Sequence, residues 1–89
     1  MRIVVKVPVI ESEKNWGSKV DDYMLCLSKE DADNFRIKFN AKNDKPEPPS
    51  WYMYADSEYG MQEITDIQFE YLNKSTDKRM CLSSLKSFK

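Results

Sequence analysis

Hydrophobic and polar positions alternate from the first residues of this chain. In RIVVKVPVI, residues 2–10, the side chains of Ile3, Val5, Val7 and Val9 fall on one side of an extended backbone and make a continuous apolar face. The other side mixes Val4 and Ile10 with Lys6 and Pro8, which predicts only partial cover. Pro8 has no N–H to give a ladder, so an edge or a bulge is expected there. ESEKNWGSKV, residues 11–20, reads as a polar turn region with Trp16 at its centre. DYMLCLS, residues 22–28, alternates Tyr23, Leu25 and Leu27 with Met24 and Cys26, which predicts a second strand and a long antiparallel hairpin.

The period then changes. Ser28 opens S-K-E-D, a capping-box-like start with Asp31 at the third helical position, and Glu30 and Asp33 lie near the positive end of the helix dipole. Ala32, Phe35 and Phe39 share a helix face, and Arg36, Lys38 and Lys42 complement the other end. Phe35, Ile37, Phe39 and Ala41 also alternate as in a strand; the cap and the charge order favour a helix over 29–42. DKPEPPS, residues 44–50, predicts an extended proline-rich loop, because prolines exclude helix and ladder alike. WYMYA, 51–55, is dense in β-formers and predicts a third strand. DSEYGMQ is expected to turn the chain around Gly60. Residues 63–72 alternate Ile67, Phe69 and Tyr71 with Asp66, Gln68 and Glu70, predicting a fourth strand with one wet face. The last stretch fits a fifth strand through Met80 and Leu82 followed by a loose tail at 84–89, or a helix with Cys81, Leu85 and Phe88 on one side. The expected architecture is α+β: a small antiparallel sheet of four or five strands in ββαββ order, with one helix packed on a face.

Composition sets what such a fold can do. With 89 residues there is room for one domain and one modest core, and no deep cleft is expected. The apolar run at the N-terminus is too short and too charged for a signal segment or a membrane span. Cys26 and Cys81 stand 55 residues apart with no CxxC, so both read as reduced packing residues of a cytoplasmic protein. There is no histidine, which removes the commonest general base and the commonest metal ligand. Gly17 and Gly60 are 43 residues apart, so no glycine-rich phosphate loop exists. Asp31, Asp33 and Asn34 resemble the start of a calcium loop, but Phe35 takes the next ligand position and no glycine follows. Ser83 and Ser84 have only Lys86 as a nearby base. Neither a catalytic centre nor a metal or cofactor is therefore expected, and the chain is expected to act by binding.

Net charge is −1, yet the charges are segregated. Residues 56–70 carry Asp56, Glu58, Glu63, Asp66 and Glu70 with no base. Residues 34–45 and the tail after Lys74 are basic. Such segregation can steer a partner by its long-range field, or simply solvate the surface. The best candidate surface is built from Trp51, Tyr52, Met53, Tyr54 and Tyr59, because whichever alternate set faces the core, the other stands outside. The alternative is that most of these aromatics pack under the helix and the proline loop. Trp16, in a polar loop, is a second candidate anchor, and Asp56 and Glu58 would add charge. Expected partner-binding residues are thus Trp16, Tyr52, Tyr54, Asp56, Glu58 and Tyr59.

Lysine outnumbers arginine eleven to three, and Phe, Tyr, Met, Ile and Asn are abundant, as an AT-rich gene would encode. In size and composition the chain resembles the small accessory proteins of large tailed bacteriophages. That resemblance implies redirection or blocking of a host enzyme or defence complex, by steric cover or by acidic imitation of nucleic acid. Two other classes stay open. One is single-stranded nucleic-acid binding by aromatic stacking beside the basic segments, although the total charge is not basic. The other is self-assembly through strand edges into a homo-oligomer or virion part.

Overall fold

The computed structural model describes residues 1–41 and 51–87, so the proline-rich connection expected at 44–50 lies outside the described residues. The chain runs β1 (Arg2–Glu13), β2 (Gly17–Cys26), α1 (Lys29–Ala41), β3 (Trp51–Ala55), β4 (Gly60–Ile64), α2 (Asp66–Lys74), β5 (Arg79–Cys81) and α3 (Leu82–Leu85). This is an α+β fold on a wholly antiparallel sheet that curls into a half-barrel. The described order is ββαββαβα, with three helices where one was expected.

β1 is the spine. β2 pairs along one side of it from Cys26 opposite Val5 to Gly17 opposite Glu13. On its other side β3 pairs with residues 9–13 and β4 with residues 2–6. β3 and β4 therefore run in one direction as a single interrupted strand. The expected reversal around Gly60 does not occur: residues 56–59 bulge outward, opposite only Val7 and Pro8, and the chain resumes its pairing. Pro8 sits in that gap. Its carbonyl accepts from Asp56 N–H at 2.9 Å, so the position of its missing N–H faces the side where the ladder is interrupted. The polar turn expected over 11–20 is also corrected. Only residues 14–16 turn, because β2 and β3 satisfy the backbone of Glu11–Glu13 from both sides and polar side chains cost nothing at an open surface.

The sheet is buried on both faces, but only at one end. On the first face, Val7, Val9, Cys26 and Ala55 pack under Ala32 and Phe35 of α1. Ser28 accepts from Asp31 N–H at 3.2 Å, the N-cap that the sequence signalled. On the second face, Val4, Leu25 and Ile64 pack under Leu72 of α2 and Leu85 of α3. Residues 66–74 are thus helix rather than the expected strand. The β1–β4 ladder ends at Arg2 opposite Ile64, and Thr65 and Gln68 then close a reciprocal capping box. Helical spacing turns Leu72 and Phe69 inward and leaves Ile67 and Tyr71 outside. The C-terminal alternatives each hold in part: β5 extends the sheet at Met80, and α3 buries Leu85, so the tail is anchored at least to that residue.

Candidate interaction surface

Beyond Val9 helix cover of the sheet runs out, Met53 on one face and Val20 on the other being the last residues beside it. α1 reaches Ala55 through Asn40, whose side-chain amide donates to the Ala55 carbonyl at 3.0 Å and accepts from its N–H at 2.7 Å. Beyond that level β1, β2 and β3 continue as a three-stranded arm, and the molecule measures 43 × 23 × 20 Å. The arm ends in a tight turn in which Trp16 N–H donates to the Glu13 carbonyl at 3.1 Å. Asn15 and Gly17 adopt φ of 76° and 88°, a backbone that asparagine and glycine tolerate best. Trp16 stands on that turn 85% exposed.

The register assigns the arm's side chains to faces. On the α1 side lie Glu11 and Glu13, opposite Met53 and Trp51 on β3 and Lys19 and Gly17 on β2. Trp51 donates its indole N–H to Glu11 Oε1 at 2.7 Å, and a shallow cleft of about 250 Å³ runs from Glu11 and Glu13 to Trp16. On the other side Ile10 stands between Tyr54 and Val20, and Ser12 between Tyr52 and Ser18. Tyr52 and Tyr54 form a tilted pair with ring centroids 5.9 Å apart, and Lys6 holds its ammonium 4.6 Å from the Tyr23 ring centre. A one-residue bulge on β2 at Asp21 adds twist here.

The six expected anchors divide into two groups. Trp16, Tyr52 and Tyr54 come together on the arm. Asp56, Glu58 and Tyr59 lie in the bulge between β3 and β4. Tyr59 turns inward there. Its hydroxyl donates to Asp33 Oδ1 at 2.6 Å and accepts from Arg36 Nε at 3.0 Å, and burial pushes its pKa up. Asp56 accepts from Glu58 N–H at 3.2 Å, which leaves Glu58 as the exposed member. Tyr59 therefore ties the bulge to α1. Glu11, Glu13 and Val20 belong to the arm surface but were hidden in the segment 11–20 read as a polar turn. Their signal was the alternation itself, which continues through Glu11 and Glu13 with polar residues in the inward register.

The base-free run 56–70 does not stay together as one strip. Asp66 meets the N-terminal ammonium at 3.7 Å and Arg2 at 3.5 Å, and Glu70 meets Lys74 at 3.3 Å. The three arginines have local partners as well: Arg2 lies 4.8 Å from the Phe69 ring centre, Arg79 lies 5.2 Å from that of Phe35, and Arg36 donates to Tyr59. Among the described residues no three Cys, Asp or Glu side chains gather as a metal site would require, and no helix is long and apolar enough to cross a membrane. No family model, curated protein or solved structure matches the chain.

Proposed function

We propose that the chain is a non-catalytic protein-binding module that lays its three-stranded arm on a larger protein and modulates that protein by steric cover. The observation that carries this reading is the asymmetry of burial. Both apolar clusters lie at the helix-covered end, while Trp16, Trp51, Tyr52 and Tyr54 line the uncovered one. Large aromatics with few rotamers to freeze are the usual energetic anchors of interfaces. The fold does not use the exposed ring of Trp16 for its own core. A mobile-element origin would make the covered protein a host enzyme or defence complex. The acidic-mimicry version has less support, because Asp66 and Glu70 are neutralised locally by ion pairs.

Affinity capture from host lysate, quantified by mass spectrometry, tests the reading when run with Trp16→Ala, Tyr54→Ala and Glu58→Lys beside the wild type. Single arm truncations are expected to cost about 2 kcal/mol, or roughly 30-fold in retained partner, with unchanged circular dichroism. Wild-type retention by both arm variants would remove the arm as the binding surface. Glu58→Lys reports whether the bulge takes part.

One observation favours a second reading. The open face bearing Tyr52, Tyr54 and Tyr23 with Lys6 has the form of a stacking platform for single-stranded RNA. A gel shift at low salt with micromolar protein decides it.

A further inference from the structure

The cleft at the end of the arm has a chemistry of its own. Its volume, about 250 Å³, falls below the range of roughly 300–1,000 Å³ typical of small-molecule pockets and suits one inserted side chain. Its walls carry two carboxylates, Glu11 and Glu13, against one ammonium, Lys19, and Trp16 borders one end. Glu11 is held in place by the 2.7 Å hydrogen bond from Trp51 to its Oε1, which leaves the other oxygen for a guest. Among the described residues Glu13 has neither a hydrogen bond nor an ion pair at its carboxylate. Lys19 stands opposite Glu11 in the ladder without coming within ion-pair distance of either acid. The turn that displays Trp16 is fixed by its own hydrogen bond and by two residues at positive φ, so the backbone that carries the indole is set before a partner arrives.

Resting on the reading of the arm as an interface, we propose that this cleft seats an arginine side chain carried by the protein partner, the guanidinium stacked on Trp16 and bridged to Glu11 and Glu13. A planar guanidinium is suited to both walls at once: it stacks on an indole face and offers a fork of N–H donors to paired carboxylates. Lysine matches the charge but not the fork. An anionic lipid surface would meet Trp16 and Lys14 favourably, but would be repelled by both glutamates.

The test is a titration of the full-length, 15N-labelled protein with a capped Gly-Ser-Arg-Ser-Gly peptide, following the indole N–H signals of Trp16 and Trp51. The expected result is a saturable shift of both signals. The citrulline peptide should bind about tenfold more weakly, and the lysine peptide should be weaker than the arginine one. Glu11→Gln combined with Glu13→Gln, and separately Trp16→Leu, should each weaken the arginine peptide about tenfold while distant amide signals stay in place. The proposal is overturned if no saturable shift appears, if citrulline or lysine binds as tightly as arginine, or if anionic vesicles move Trp16 and the peptide does not. Failure here with Trp16→Ala still losing the captured partner removes only the arginine. Failure of both removes the arm as an interface as well.

Discussion

Cys26 shows how a single side chain is committed by its surroundings. It is fully buried beneath α1, and desolvation pushes its thiol from 9.0 up to about 11, against a smaller opposing pull from Arg79. At pH 8 its thiolate fraction falls about 100-fold relative to an ordinary cysteine, so alkylation should label Cys81 first and reach Cys26 only through opening of the fold. Mass-resolved iodoacetamide labelling checks this, and equal rates at the two sites would contradict it. The linkage has a definite sign. The folded state favours the neutral thiol, so this stabilisation is complete below pH 9 and is lost as pH rises through about 11. Tyr59, raised by burial and by its bond to Asp33, adds to the loss in the same alkaline direction. Pro8 was legible as an interruption from its missing N–H alone. Which interruption it marks was not, because the gap is made by residues 56–59 on another strand.

At the scale of elements, local signals succeeded where the chain satisfies itself and failed where a neighbour does so. The Ser28 cap and the apolar spacing of Ala32 and Phe35 specify α1 without reference to the rest of the fold. Residues 66–74 alternate as a strand would, yet they form α2, because a strand needs a partner and the ladder on β1 has run out at Arg2. The capping box of Thr65 and Gln68 was present in the sequence as T-D-I-Q and outweighs the alternation. Thr65→Ala is expected to cost about 1 kcal/mol, a fall of about 4–8 °C in thermal midpoint by circular dichroism. An unchanged midpoint would mean that α2 is held by Leu72 and Phe69 alone.

The whole molecule divides into a body that carries the stability and an arm that adds little to it. No buried residue of β1 lies beyond Ile10. Replacing residues 12–18 by Asn-Gly removes polar cross-strand pairs of about 0.2–1 kcal/mol each, whereas Leu72→Ala or Leu85→Ala should cost about 2–5 kcal/mol. Chemical denaturation compares them directly. A shortened arm that unfolds like the leucine variants would make the arm part of the core. The same shortened chain should lose its captured partner, which separates binding from folding. The sequence by itself determined the α+β class, the first hairpin, α1, β3 and the aromatic character of the binding candidates, because period, capping and β-propensity act over a few neighbouring residues. Tertiary structure alone decided that β3 and β4 form one interrupted strand, that α2 and α3 cover the second face, and that Tyr59 turns inward while Trp16 and Trp51 meet Glu11 and Glu13. Those outcomes depend on which strand ends where along β1, and a one-dimensional pattern does not contain the length of a partner's ladder.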